Sequence, residues 1–460
     1  MKLKFKSFPH PITMLFVIIV IVTGMSYILP AGEFERVLVN GRMRVVSGTF
    51  KNIANTPLTI MDMFRSFVEA FKVASDIIFV VLASGIMFGI LEKSKMIEHA
   101  VGTLVKRMGE KRRVTIVILM TYLFGLLGVA VGYENNIAMI PIGAVLAIAI
   151  GGDLILAAGM SVAAITVGFG LSPINPYTVG TGHQIAELPL FSGAGLRSVL
   201  CFLALSCLAY YNMRYFKKIT NDPLTSMGQG LDTSGLTLTK PIDQYAMSAN
   251  NILVALVFLA GMVFMLYGVF NFHWYLKEIA AVFLIITLVA GLVSKMNPTE
   301  ISETVLKSVS VVAPGAFMVG FATTIKVILE KGNISDTIAH TFSNLLMDLP
   351  VQLSAIVMSF FQCIMNLMIP SGSGQALATL PVMIPVGDLI GITRQCTILA
   401  FQIGDGVTNL FNPTLGGLIA MLSLCRVPFD KWLKFILPLT GVILVISWLI
   451  LWLCVLINWT

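Results

Sequence analysis

Two stretches of this chain, Ile252 to Phe272 and Phe435 to Ile457, contain no charged side chain, and each is long enough to cross a bilayer core, which takes ~20 residues. A helix that is apolar all round is buried, in the core of a large protein or in lipid. The composition favours lipid: 57% of the 460 residues are hydrophobic and only 12% are charged, against about one quarter charged in a soluble domain. Mean hydropathy is +0.90. The expected fold class is an all-α polytopic membrane protein, because helices satisfy their own backbone groups in lipid.

The first apolar segment, Ile12 to Pro30, follows Lys2, Lys4 and Lys6 and invites comparison with a signal peptide. No small-residue cleavage site follows it, and Leu29-Pro30-Ala31-Gly32-Glu33 reads as a loop, so an uncleaved span is expected. The six cysteines lie mostly in apolar segments with no CxxC pairing and read as small core hydrophobes. The histidines lack HExxH-type spacing, and no GxxxxGK[ST] loop is present, so neither a metal enzyme nor a self-contained ATP-driven pump is expected. The net charge of +7 is concentrated in loops, which points to membrane topology rather than to nucleic acid.

The chain repeats itself. Ile90-Leu91-Glu92-Lys93 recurs as Ile328-Leu329-Glu330-Lys331, and Thr56-Pro57 is matched by Asn297-Pro298, each opening an amphipathic stretch. Asn175-Pro176 pairs with Asn412-Pro413, and Gly168-Phe169-Gly170 with Gly404-Asp405-Gly406. Each pair lies about 240 residues apart, a period typical of the repeats that build transporters. Lys93, Lys95, Lys106, Arg107, Lys111, Arg112 and Arg113 crowd the loop after the first copy. The corresponding loop, Glu330 to Pro350, carries Lys331 with Glu330, Asp336 and Asp348. Basic loops mark the cytoplasmic face, so equivalent loops lie on opposite faces and the repeats have inverted topology.

The expected organisation follows. Residues 1–55 form a first span and an external loop, with a cytoplasmic N-terminus, and residues 56–215 form repeat 1. Repeat 1 holds a span from about Val73 to Leu91, a hairpin at 114–150, a broken helix at 154–188 and a span ending at Arg214. A cytoplasmic linker (216–249) and two ordinary spans (250–296) precede repeat 2 (297–460), with a hairpin at 351–391, a broken helix at 394–424 and an external C-terminus. The expected location is the inner membrane.

Four membrane segments are interrupted by polar or proline-containing sequence. Gly132-Tyr133-Glu134-Asn135-Asn136 separates two short apolar runs and reads as the tip of a re-entrant hairpin, a short external turn being the alternative. Its partner is Pro370-Ser371-Gly372-Ser373-Gly374-Gln375, where glycines admit a ligand close to the backbone and Ser and Gln offer uncharged hydrogen bonds. Ser172 to Thr178 and Thr408 to Thr414 each place an Asn-Pro pair inside an apolar segment after a Gly-x-Gly. Proline removes a helix donor while asparagine bonds the freed groups, giving two half-helices; a simple kink is the alternative.

Candidate substrate-binding residues are therefore Glu134, Asn135, Asn136, Asn175, Pro176, Thr178, Ser371, Gly372, Ser373, Gly374, Gln375, Asp405, Thr408, Asn409, Asn412 and Thr414. Glu134 and Asp405 stand out, because an intramembrane carboxylate is costly and marks function by default. A Na⁺ site near Glu134, Asn175, Asp405 and Asn412, or proton coupling, is a candidate; no other cofactor is expected. None of the four breaks contains lysine or arginine. Lys326 lies four residues before Glu330 and reads as an ion pair or a snorkelling side chain, and Arg394 reads as interfacial. His183 and Glu187 read as a gate or as interfacial polar residues.

Ser371-Gly372-Ser373-Gly374-Gln375-Ala376, Gly387-Asp388-Leu389, Arg394-Gln395, Phe401-Gln402-x-Gly404-Asp405-Gly406 and Cys425-Arg426-Val427 resemble YfcC-type transporters of the DcuC anaerobic dicarboxylate carrier family, within the ion transporter superfamily. Pro9-His10-Pro11, Ile28 to Glu33 and Ser192-Gly193-x-Gly195-Leu196-Arg197 agree. The resemblance spans essentially the whole chain. It implies an elevator-type homodimer, in which a transport domain of hairpins and broken helices moves against a scaffold, with the solute site at the tips and Asn-Pro breaks. One departure is the first tip, Glu134-Asn135-Asn136, where many relatives carry further acidic or small residues.

The resemblance offers two solute classes, basic amino acids (arginine/ornithine-like exchange) and C4-dicarboxylates. A dianion meets Glu134 and Asp405 with no cation in the breaks, an arrangement penalised in low dielectric unless a bound cation or proton intervenes. An amino acid pairs its carboxylate with hairpin amides and its amine with an acid. The expected function is thus a secondary transporter or antiporter of small organic solutes, amino acids first, with a Na⁺- or H⁺-coupled dicarboxylate carrier as the alternative. A channel wants a continuous polar pore, and an intramembrane enzyme wants a nucleophile beside a base; neither pattern is evident.

Overall fold

The computed structural model describes residues 11–460 except 40–41, 47, 110–111, 237–239, 241–243, 273, 275 and 347–348. Lys2, Lys4, Lys6, Pro9 and His10, and Lys111 and Asp348 of the charge comparison, lie outside the described residues. Helix α1 (Pro11–Ile28) leads into two small antiparallel ribbons, β1 (Gly32–Glu33) with β4 (Lys51–Asn52) and β2 (Arg36–Val39) with β3 (Arg42–Val45). Among the described residues these are the only strands. The helices that follow are α2 (Ile60–Val73), α3 (Ser75–Lys93), α4 (Met96–Met108) and α5 (Arg113–Val131). A 3₁₀ turn (Glu134–Met139) then leads to α6 (Ile140–Ala149).

The first broken helix comprises α7 (Leu154–Ala158), a π-turn (Gly159–Ala163), α8 (Ala164–Gly170), a gap, a second π-turn (Pro176–Gly180) and α9 (Thr181–Ile185). Next come α10 (Ala194–Asn221), α11 (Ala249–Phe272) and α12 (Leu276–Val293). The remainder is α13 (Pro298–Lys331), α14 (Ser335–Leu346), α15 (Val351–Met368), α16 (Gly372–Ile390), α17 (Arg394–Thr408), α18 (Gly416–Leu424) and α19 (Phe429–Leu456). Among the described residues six helices are long and apolar enough to cross a membrane, or seven with α16, which bends by 53° between Leu380 and Val382. The intervening residue is Pro381, whose missing N–H and ring clash favour such a bend.

The order α4–α5–α7/α8–α10 recurs as α14–α15–α17–α19 about 240 residues later. The two halves differ where sequence matched them most loosely. Asn297 caps α13 directly through a capping box with Glu300, whereas Thr59, not Thr56-Pro57, caps α2 through a box with Asp62. The first half breaks at Ala74 between α2 and α3, while α13 runs through Pro314 as one 34-residue helix. α13 packs along α2, α3 and α18, and α3 also packs on α12. A second group joins α5 to α8 and α10, and α15 to α17 and α19.

Two regions expected to be simple connections are pinned. In the first ribbons, the Arg36 guanidinium donates to both oxygens of Asp336 at 2.8 Å, and the Phe34 amide adds a bond at 3.0 Å. The polar linker begins later than its expected boundary, because α10 continues past Arg214 to Asn221. Asp153, the cap of α7, then accepts from Tyr215 Oη (2.7 Å), Ser226 Oγ (2.6 Å) and the Gly228 amide (3.2 Å). Lys431 donates to Gln229 O and Arg426 to Ser234 O, both at 2.6 Å. Tyr245, buried against Gly102 of α4, donates to Glu98 at 2.6 Å. The linker is a strap held at both ends. Asp153→Ala removes one helix cap and three charge-assisted bonds, so it is expected to destabilise the protein by about 2–4 kcal/mol. A thermal unfolding midpoint equal to wild type would show that the strap contributes nothing.

Candidate functional site

The two Gly-x-Gly motifs are the crossing point of the broken helices. A Cβ on Gly406 would stand 2.5 Å from the carbonyl oxygen of Gly170, and one on Gly170 would stand 2.6 Å from Gly406 Cα. The other glycine of each motif meets the first arm of its own hairpin: Gly168 abuts the Gly125 carbonyl of α5, and Gly404 the Ser359 carbonyl of α15, at 2.5 Å. Only hydrogen fits at these contacts, so α8 and α17 touch backbone to backbone. The gaps at 171–175 and 409–415 open directly beyond this crossing.

Each gap is held by its asparagine. Asn175 Nδ2 donates to Phe169 O (2.9 Å), and its Oδ1 accepts from the Tyr177 and Thr178 amides. Asn412 Nδ2 donates to Asn366 O (2.8 Å), and its Oδ1 accepts from the Thr414 amide and hydroxyl. These side chains replace helix hydrogen bonds that the proline breaks remove. Thr414 Oγ1 also bonds Leu367 O, and Asn409 Oδ1 accepts from Asn366. Asn175, Asn412 and Thr414 are therefore bonded within the framework of the breaks, and Asn409 is tied to it through Oδ1.

The hairpin tips sit beside the breaks of the opposite half. The 3₁₀ turn at Glu134–Met139 packs against α18, and α16 packs against the Pro176–Gly180 turn. At the first tip, Asn136 is buried and donates to Leu127 O and Gly132 O, closing the tip onto α5. The side chains of Glu134, Asn135 and Pro176 lie outside the described residues. At the second tip, Ser371 Oγ caps α16 by accepting from the Gly374 amide. Gln375 turns inward onto Gln362, with Nε2 donating to Gln362 O (2.9 Å) and Oε1 (2.7 Å). Ser373 and Gly374 are half-buried on the first turn of α16. A Cβ at Gly372 would lie 2.5 Å from Thr178 Cγ2 and 3.5 Å from Asp405 Oδ2, so the second tip, the first break and α17 meet at one point.

Polar atoms left without a partner gather at that point. Asp405 is 1% exposed, and neither carboxylate oxygen has a hydrogen-bond partner. The hydroxyls of Thr178 and Thr408, both fully buried, are likewise unpartnered. A buried carboxylate without a partner is unstable as a bare anion, so it calls for a proton, a cation or a ligand's positive group. The first turn of α16, capped by Ser371, begins at this point, and the N–H groups of a helix N-terminus suit a carboxylate. Among the described residues no group of three or more His, Cys, Asp or Glu could hold a metal. The oxygens of Asp405, Thr178 and Thr408 are free, whereas the side-chain oxygens of Asn175 and Asn412 already accept from backbone amides.

The sequence reading missed several participants. Asn366 and Gln362 lie one turn apart on α15, and both are fully buried in the network around Asp405 and α16. Two polar amides at i and i+4 in an apolar helix were the available signal. Arg197 is fully buried and bonds Gln402 and Gln395 of α17; in the sequence it stands only as an arginine opening an apolar segment. His183 is fully buried, with Nδ1 accepting the Phe191 amide at 2.9 Å. Arg394 pairs with Asp388 (3.0 Å) and Glu187 (3.5 Å), and Lys326 with Glu330 (3.7 Å).

The sequence profile of the DcuC family, described as C4-dicarboxylate anaerobic carrier, matches residues 8–456. The chain belongs to the DcuC family. It is 31% identical over 386 residues to Escherichia coli K12 YfcC, whose name proposes a basic amino acid antiporter; the match covers 81% of this chain and 76% of that protein. An uncharacterised Haemophilus influenzae protein is 25% identical over 497 residues, covering 98% of this chain and 97% of that one. Among solved structures, this DcuC-family chain is similar to the YdaH transporter of Alcanivorax borkumensis (TM-score 0.47, 15% identity, covering 98% and 99% of the two chains). It is also similar to MtrF of Neisseria gonorrhoeae, described within a class of antimetabolite efflux pumps (TM-score 0.45, 19% identity, 97% and 95%). With its apolar helices, the family makes this DcuC member a multi-pass membrane transporter.

Proposed function

We propose that this transporter is a secondary antiporter of amino acids, basic ones foremost, with Asp405 receiving the solute's amine and the first turn of α16 its carboxylate. The observation that carries the reading is the unpartnered Asp405 carboxylate beside Thr178 and the Ser371–Gly372 turn. An amino acid supplies both complementary charges in one molecule. The name of the Escherichia coli relative supports the basic class. The hairpins and broken helices act as a moving transport domain and α3, α12 and α13 as scaffold, in two inverted repeats of a homodimer in the inner membrane. The N-terminus is then cytoplasmic and the C-terminus external.

A Na⁺- or H⁺-coupled C4-dicarboxylate carrier is the second reading, favoured by the family description. In it, Asp405 holds the coupling ion. Counterflow in proteoliposomes loaded with arginine, ornithine, neutral amino acids, succinate or citrate separates the two. Saturable exchange of arginine or ornithine, weakened at least tenfold in Glu134→Gln and at least a hundredfold in Asp405→Asn, is the expected result. Exchange of succinate alone would overturn the amino-acid assignment.

A further inference from the structure

Among the described residues Arg197 is the only fully buried lysine or arginine, and no carboxylate pairs with it. Its Nε donates to Gln402 Oε1 (3.1 Å), and its Nη1 to Ser192 O (3.0 Å) and Gln395 Oε1 (2.9 Å). The Trp459 ring covers it at 5.0 Å, and the Trp459 carbonyl is tied to Thr393 Oγ1 at 2.5 Å. A buried charge held by neutral acceptors is costly, and its hydrogen-bond pattern shows what it accomplishes.

A guanidinium only donates, so Gln402 must turn Oε1 toward Arg197 and its Nε2–H the other way. That Nε2 donates to Ser172 O at 2.8 Å. Ser172 lies in the gap after α8, and the helical donor to its carbonyl would be the amide four residues on. That residue is Pro176, which has no N–H. Gln402 thus supplies the donor that Pro176 lacks, and Arg197 fixes which end of the Gln402 amide faces the gap. Ser172 Oγ in turn bonds Val129 O (3.3 Å) and accepts from the Ile174 amide (3.2 Å), so the gap is held from α5, α10 and α17 together.

We propose that Arg197 is a positioning residue for the solute site, acting through Gln402 to fix the gap at 171–176 and with it the approach of Thr178 to Asp405. The role rests on the reading above that this gap lines the solute path. The purified full-length protein tests it through Gln402→Glu. This variant keeps an acceptor for Arg197 but has no N–H for Ser172 O. Hydrogen–deuterium exchange across 171–180 is expected to quicken about tenfold, the scale of one lost buried hydrogen bond, while α8 and α17 keep wild-type protection. In L-arginine counterflow, KM is expected to rise about tenfold with little change in Vmax. Arg197→Lys should show the same exchange pattern; if it does not fold, Gln402→Glu alone decides. Unchanged exchange at 171–180 in Gln402→Glu would overturn the proposal. Absence of arginine counterflow in the wild-type protein would instead overturn the amino-acid reading and leave the exchange result to stand by itself.

Discussion

Asp405→Asn is expected to abolish coupled exchange, with at least a hundredfold loss of counterflow, while raising the thermal unfolding midpoint. The two effects have one cause. Asp405 is 1% exposed with both oxygens unpartnered, so its charge destabilises the folded chain wherever nothing neutralises it. Asparagine keeps the shape and removes that charge, for a gain of about 1–3 kcal/mol by analogy with other buried unpaired groups. The lost carboxylate is also the group that takes a proton, a cation or a solute amine. Opposite movement of stability and transport is the signature of a functional residue kept at a cost to stability. Counterflow that survives in Asp405→Asn, with its ion dependence intact, would remove Asp405 from the mechanism.

Gly406→Ala is expected to prevent accumulation of folded protein, or to cost more than about 3 kcal/mol where some folds. The added Cβ would meet Gly170 O at 2.5 Å and Gly170 C at 2.6 Å. Both are backbone atoms, so no rotamer change relieves the clash, and α8 must separate from α17. Gly195→Ala and Gly441→Ala are the matched controls, since nothing lies within 4 Å of a Cβ at either helical position. They should leave the unfolding midpoint unchanged or slightly raised, because alanine favours helix over glycine. Detergent-solubilised yield and thermal midpoint measure all three; a well-folded Gly406→Ala would mean that the crossing is looser than the structure has it.

The two predictions draw on features of different legibility. Gly-x-Gly, Asn-Pro and SGSG were visible in the sequence because each departs from the helix chemistry that lipid demands, and all fall at or beside helix interruptions. What the asparagines do was not visible. They read as solute ligands, yet Asn175, Asn409 and Asn412 bond neighbouring backbone and side chains. A side chain's partner depends on which group stands within about 3 Å, and for Asn409 and Asn412 that is Asn366 of α15, on a different helix. The linker is a similar case: it read only as a polar cytoplasmic connection, but Asp153, Arg426 and Glu98, which lie outside it, bond to it and hold it.

The sequence by itself determined the class of this protein: a multi-pass helical membrane chain with interrupted helices and two acids, Glu134 and Asp405, at or beside the interruptions. Those properties depend on local composition against a lipid solvent, and each is written within a window of a few turns. Only the tertiary structure decided which polar atoms stay free. Asp405, Thr178 and Thr408 lack partners, whereas Gln402 and Arg197 are fully engaged in holding the gap that Pro176 opens. Hydrogen bonding saturates by proximity in three dimensions, so an unpaired group can be recognised only once every neighbour has been placed.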